Sequence, residues 1–173
     1  MRKYFIACLT LLSLQITIAT AQDAKGIYPW ITEVGPSLAI PIRTLHTATS
    51  FGVGGDLRIS REVSSIKNFS AGARLAYNVF FGKKDQSTFT KGKTIHNIGL
   101  FASLQYIAYD NLVLEADVGL GITSGWFNTI GLARSGFIGY KLPDLKRNVK
   151  IGVFMSRITF ATLHMGIKGT IQI

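Results

Sequence analysis

Between Leu112 and Thr123 the chain alternates for twelve residues without a lapse, LVLEADVGLGIT. Leu112, Leu114, Ala116, Val118, Leu120 and Ile122 form one set, and it is wholly apolar. Val113, Glu115, Asp117, Gly119, Gly121 and Thr123 form the other, which carries two carboxylates. A period of two is the signature of a strand with two unlike faces, since successive side chains point to opposite sides. A soluble strand usually runs about 5–6 residues. A strand that crosses a bilayer at a tilt needs about 9–11. The stretch is therefore long enough to set one face against lipid and the other against a polar interior.

The same alternation recurs along the chain. It predicts strands over 30–42, 50–61, 69–81, 95–108, 112–123, 129–142, 149–156 and 159–173. Pro36 and Pro41 each remove a ladder donor from the first strand, which places them at a bulge and at the strand end. Gly52-Val53-Gly54-Gly55 lacks the lysine-serine pair and following helix of a phosphate loop. Glycine that relieves curvature in a tight barrel accounts for it better. Asp110-Asn111 suits a tight turn, because both side chains bond nearby backbone and tolerate positive φ. One residue conflicts with the pattern. Arg134 falls on the apolar face of the sixth strand, where mid-membrane exposure costs about 2–4 kcal/mol. A bulge near Ser135-Gly136, or a place near the bilayer edge, removes the conflict.

The N-terminal residues read as an export signal. Arg2 and Lys3 precede an apolar core from Phe5 to Ile18, and Ala19-Thr20-Ala21 supplies small residues before a cleavage site at Gln22. The expected organisation is a cleaved signal peptide at 1–21 and one domain at 22–173. Cys8 lies inside the signal, too early for a lipoprotein cysteine, and the mature part has none. Disulfide and thiolate chemistry are thereby excluded from it. Nothing in the mature part runs 18 apolar residues, although 47% of the chain is hydrophobic and only 16% charged. A helical membrane protein would block its apolar residues together; here they are spread by alternation.

The formal charge is +10, and the surplus sits mainly in connections. Lys83, Lys84, Lys91 and Lys93 cluster in one, and Lys141, Lys146, Arg147 and Lys150 surround another. Such clusters are either solvated loops or contacts for anionic lipid head groups. No recognition helix, zinc spacing or stacking motif accompanies them, so nucleic acid is not an expected partner.

Alternation alone does not say which face points inward. A soluble ligand-binding barrel would put the apolar set inside. Two features favour the inverse arrangement. The polar set is dominated by Gly, Ala and Ser with widely spaced charges, which suits a cramped interior. The apolar faces also persist over about 11 residues, more than a small soluble core needs. The interior then holds Glu33, Asp56, Glu115 and Asp117 against Arg58, Arg74, Lys150 and Lys168. Buried charges must be paired, and four acids meet four bases. The interior of an eight-stranded barrel is just wide enough for side chains to fill, so a plugged lumen is expected. Trp30, Phe69, Tyr106 and Tyr140 fall near one set of strand ends, and Phe51, Tyr77, Phe81 and Phe127 near the other. Two aromatic belts are what two membrane interfaces require.

With its signal ending in ATAQ, about 150 mature residues and a final strand at the end of the chain, the sequence resembles the small outer-membrane β-barrel proteins. WITEVGPSLAIPI followed by glycine-rich strands is similar to barrel domains of Bacteroidetes-type bacteria. The end departs from that pattern: Ile173 stands where many such barrels place an aromatic residue. The resemblance implies an all-β, eight-stranded antiparallel up-and-down transmembrane barrel in the bacterial outer membrane.

Small barrels of this kind include lipid-modifying enzymes, so catalysis must be weighed. His46, His96 and His164 are the only histidines, and none stands in a His-x-Ser pair. His164 reads as a hydrogen-bonded interior residue. Glu115 and Asp117 share a face about 7 Å apart by strand rise, and interior ion pairs explain them more simply than acid–base work. No metal-ligand spacing is present. The expectation is a non-enzymatic envelope barrel without a cofactor, acting through its loops or as a structural element. A lipid hydrolase or acyltransferase and a soluble periplasmic ligand-binding barrel are the alternatives.

Overall fold

The structure is a computed structural model that describes residues 29–42, 46, 49–83, 94–125, 128–143, 148–160 and 162–173. The expected signal peptide, Lys84, Lys91, Lys93, Trp126, Phe127, Lys146 and Arg147 lie outside the described residues.

The strands are β1 (Trp30–Pro41), β2 (Thr49–Glu62), β3 (Phe69–Gly82), β4 (Ile95–Ile107), β5 (Leu112–Ser124), β6 (Thr129–Leu142), β7 (Val149–Arg157) and β8 (Leu163–Gln172). Each pairs antiparallel with the next, and β8 returns to β1, so the sheet is a closed eight-stranded barrel. At one end, here the turn end, β2–β3, β4–β5 and β6–β7 are joined. At the other, the loop end, lie the remaining connections. Asn68 and Asn111 adopt positive φ in two turn-end connections, as their short polar side chains allow. The β4–β5 turn is a single 3-10 turn, Tyr109–Asn111.

The stagger of the barrel follows from its register. Hydrogen-bonded partners can be followed once around from Thr32 through Ile59, Ala73, Ala102, Val118, Arg134, Arg157 and Leu163. The path regains β1 at Ile42, ten residues beyond its start. With about 3.3 Å of rise per residue and about 4.8 Å between strands, that offset tilts the strands about 40° from the barrel axis. Each strand step along the path climbs about 3 Å.

Three sequence expectations are corrected. The ladder between β5 and β6 is unbroken from Leu112↔Tyr140 to Thr123↔Thr129, so no bulge turns Arg134 away from the outer wall. Pro36 likewise sits opposite Gly55 in an unbroken β1–β2 ladder, and toward β8 the pairing lapses at Gly35 and Pro36 without a change of register; the register shift in this part of the wall lies in β2, between Thr49 and Gly52. Finally, β8 begins at Leu163 and not at residue 159. Ile158, Thr159, Phe160 and Thr162 leave the wall, and Thr159 and Thr162 bond to each other. The Thr162 amide donates to the Thr159 carbonyl at 3.2 Å, and the Thr159 amide to Thr162 Oγ1 at 2.9 Å.

The two faces separate cleanly. Leu38, Leu57, Leu100, Val118, Leu132, Val153 and Ile167 are among the exposed apolar residues of the outer wall. Eight charged residues of the strands alternate with them, point inward and are buried, whereas Arg61, Arg134 and Arg157 occupy the outward phase.

Candidate functional site: the filled lumen

Eight ionisable side chains from six strands meet in the turn-end half of the lumen, none more than 8% exposed. They fall into two connected groups. In the first, Glu33 on β1 lies between Lys150 on β7, which donates to Glu33 Oε1, and Arg58 on β2, with Nη1 3.7 Å from Glu33 Oε2. The same Arg58 Nη1 is 3.5 Å from Oε1 of Glu115 on β5, and Lys168 Nζ on β8 is 2.7 Å from Glu115 Oε2. Gln105 Nε2 donates to Glu115 Oε1 at 2.9 Å, and Arg58 Nη2 to Ser70 Oγ at 3.2 Å. The second group is a triad. Arg74 on β3 donates through Nε to Asp56 Oδ1 at 2.5 Å and through Nη1 to Asp117 Oδ2 at 2.5 Å. Its Nη1 also reaches Ser135 Oγ at 3.0 Å.

The bookkeeping of charge is uneven within the groups and even across them. Three bases face two acids in the first, and two acids face one base in the second. Their opposite excesses lie in the same lumen and cancel. Placing a charge in a low-dielectric interior is tolerable only with such pairing. Alternation is what delivers the residues: each occupies the inward phase of its strand, and the register stacks Glu33 beside Arg58 and Arg58 beside Arg74. Aromatic rings complete the packing. Lys168 Nζ is 4.4 Å from the centroid of Phe137, and the Arg74 guanidinium 5.4 Å from that of Phe101, distances at which a ring face attracts a cation.

Toward the loop end the filling changes character. The expected polar interior holds only in part, because Phe80, Ile95, Phe101 and Phe154 also point inward and are buried, as Phe137 does beside Glu115. The β7–β8 connection folds into the barrel mouth among them. Ile158, Thr159 and Thr162 are fully buried. Ile158 lies over Gly99 on β4 and Gly121 on β5, neighbours in register. A Cβ added to Gly121 would come within 2.5 Å of Ile158 Cγ2 and closer still to its carbonyl, so these glycines make the seat for the tucked turn. Thr159 Oγ1 bonds Thr162 Oγ1 at 3.1 Å and Thr123 Oγ1 at 3.3 Å, and Thr123 donates to Asn97 Oδ1 at 2.9 Å. The sequence does not announce this plug, as its only local signal is two threonines, Thr159 and Thr162, three positions apart.

His164, expected as a hydrogen-bonded interior residue, is interior and fully buried, but among the described residues neither ring nitrogen has a hydrogen-bond partner; its ring is instead edge-on to Phe80 and Phe154, at centroid distances of 5.1 and 5.8 Å. Its cross-strand neighbour is Ser156, also buried. Of the other histidines, His96 faces the outer wall and its Nδ1 lies 2.8 Å from the Tyr77 hydroxyl, while His46 is exposed. Among the described residues, no three His, Cys, Asp or Glu side chains stand together as a metal site would require.

The aromatic residues singled out from the sequence line the wall at its two ends. Trp30, Tyr106 and Tyr140 are exposed at the turn end, and Phe69 is half-buried there. Phe51 and Phe81 meet with tilted rings, centroids 5.1 Å apart, toward the loop end, and Tyr77 is exposed on the same strand as Phe81. Lys83, at the end of β3, donates to the His46 carbonyl at 2.7 Å.

No family model and no curated protein matches the chain. Its structure is similar to solved ones. Neisserial surface protein A aligns with a TM-score of 0.51 and 13% identity, over 83% of this chain and 96% of that one. The Yersinia pestis outer membrane protein Ail, in a phospholipid bilayer nanodisc, aligns with a TM-score of 0.55 and 9% identity, over 84% of this chain and all of that one. A crystal structure of Ail gives a TM-score of 0.52 at 8% identity. At these identities the likeness is one of fold: the chain has the closed, eight-stranded antiparallel barrel of these proteins.

Proposed function

We propose that the protein is an integral barrel of the bacterial outer membrane with a sealed lumen, acting without catalysis through its loops or as a structural element of the envelope. The observation that carries this reading is the inversion of the wall. Apolar side chains cover the outside, while eight paired charges fill the inside. In water, that arrangement leaves an apolar surface far larger than the few hundred Å² a soluble monomer tolerates. In a bilayer it is the arrangement of least free energy, because the closed sheet satisfies its own backbone. The aromatic belts add to this, and so does the likeness to Ail, which is an outer membrane protein.

Non-catalytic action is supported by where the reactive groups lie. Ser156 and His164, the closest approach to a nucleophile and base, are sealed in the lumen between phenylalanine rings. The lysine cluster at Lys83, Lys84, Lys91 and Lys93 would meet phosphate-bearing head groups beside the loop end.

Reconstitution tests the reading. Protein refolded into phospholipid vesicles should show heat-modifiable gel mobility, float with the vesicles and give no steady conductance in a planar bilayer. Recovery from cells as a detergent-free soluble periplasmic protein would overturn the membrane assignment. Turnover of an envelope lipid that His164→Ala abolishes would overturn the non-catalytic one.

A further inference from the structure

The outer wall is apolar along its strands with one interruption. Arg134 on β6 and Arg157, the last residue of β7, are cross-strand partners, and both occupy the outward phase. Among the described residues the only other charged side chain in that phase is Arg61, at the turn end of β2. Two like charges directly opposite each other destabilise an antiparallel pair. An arginine in the apolar band adds a further cost. No carboxylate among the described residues offsets either. Arg157 is held in place by the tucked turn. Its Nε donates to the Thr159 carbonyl at 3.3 Å and its Nη2 to the Phe160 carbonyl at 2.9 Å. The Arg134 guanidinium makes no hydrogen bond among the described residues.

Height along the barrel decides what such a pair can meet. Arg134 is five strand steps and Arg157 six steps beyond Thr32 on the rising register path. At about 3 Å per step they stand about 15 and 18 Å above Thr32. Trp30, which marks the turn-end belt, is two residues below Thr32, or about 5 Å at this tilt. The two side chains therefore leave the wall about 20–23 Å above that belt, near the far edge of an apolar band about 25 Å tall. From there an extended arginine reaches the head-group layer. Leu132, Met155 and Phe160 are exposed around the pair, an apolar bed beside paired guanidinium groups.

We propose that Arg134 and Arg157 together bind the phosphate of an anionic lipid in the leaflet at the loop end, with its acyl chains lying on Met155 and Ile138, which are exposed on the turn-end side of the pair. A shared phosphate turns the like-charge pair into two charge-assisted contacts, and the guanidinium fork matches phosphate geometry. The proposal rests on the membrane reading above and is distinct from the lysine-rich connection.

The test is native mass spectrometry of the full protein folded in micelles and offered phosphatidylglycerol or phosphatidylcholine, with vesicle flotation as a parallel readout. Wild type should retain one phosphatidylglycerol in preference to phosphatidylcholine. Arg134→Gln should weaken that retention about tenfold or more, the loss of one charge-assisted contact. Arg134→Lys, which keeps the charge without the fork, should fall between. Arg134 holds nothing else in place, so the heat-modifiable band of Arg134→Gln should match wild type. Equal retention of the two lipids, or equal retention by Arg134→Gln, overturns the site. Complete displacement of the lipid by millimolar inorganic phosphate overturns its lipid identity. Failure of wild type to float with vesicles overturns the membrane reading and the site with it, and is read separately from lipid selectivity.

Discussion

The two halves of the lumen are closed by different means. At the turn end, eight charges from six strands neutralise one another across the barrel. At the loop end, the β7–β8 connection brings Ile158, Thr159 and Thr162 inward and seats Ile158 on Gly99 and Gly121. The first seal is distributed: each of the six strands supplies one or two charged side chains, and no segment leaves the wall. The second is local and depends on one segment bonding to itself. The contrast teaches that a barrel of this size can be filled either by what its strands point inward or by what its loops bring in. The two should fail differently.

The largest difference should come from breaking the triad. Arg74→Met leaves Asp56 and Asp117 buried without a cation and should cost about 3–5 kcal/mol. Urea unfolding of detergent-folded protein, followed by tryptophan fluorescence, measures it. Adding Asp56→Asn and Asp117→Asn to Arg74→Met should recover most of the loss, since removing all the charges removes the penalty. A triple variant as unstable as the single one would show that Arg74 acts by packing.

Ile158→Ala should cost about 2–4 kcal/mol in the same assay, from lost burial and the cavity left behind. Because the wall is intact, its heat-modifiable band should remain. Gly121→Ala should cost about 1–3 kcal/mol by overpacking, as its new methyl would meet the Ile158 backbone. It should also expose the 158–162 segment to protease added at the loop side of vesicles, a change Arg74→Met should not produce. The smallest effect belongs to Thr123→Val, which removes hydrogen bonds to Asn97 and Thr159 and should cost about 1 kcal/mol. If Gly121→Ala leaves the segment protected, the loop-end seal does not depend on that seat.

This contrast also separates what was legible in the sequence from what was not. Glu115 and Asp117 announce an inward face because they alternate with leucines over a stretch too long for a soluble strand. Eight such strands closing on themselves was therefore readable as a barrel. Which base meets which acid was not, since it depends on the stagger: Glu115 takes Arg58 and Lys168, Asp117 takes Arg74. Phe80, Phe101 and Phe154 occupy the inward phase of their strands, yet the acid–base balance drew attention away from them. The tucked turn was hidden for a plainer reason. In sequence, residues 159–162 continue the strand pattern, and the space that takes Ile158 lies above two glycines on distant strands. Arg134 pointed either to a bulge or to the bilayer edge, because an outward charge breaks the alternation; the unbroken β5–β6 ladder removes the bulge.

The central claim is the inversion of the wall, and β5 offers its most direct test. Cys8 is the only native cysteine, so single cysteines carrying nitroxide labels can be introduced on a Cys8→Ser background. Labels at Leu114, Ala116, Val118 and Leu120 of vesicle-folded protein should be relaxed by lipid-dissolved oxygen and shielded from a water-soluble nickel complex. Labels at Val113 and Ser103, which face the lumen, should be shielded from both. A label at Val118 that is open to the nickel complex and closed to oxygen would contradict the account.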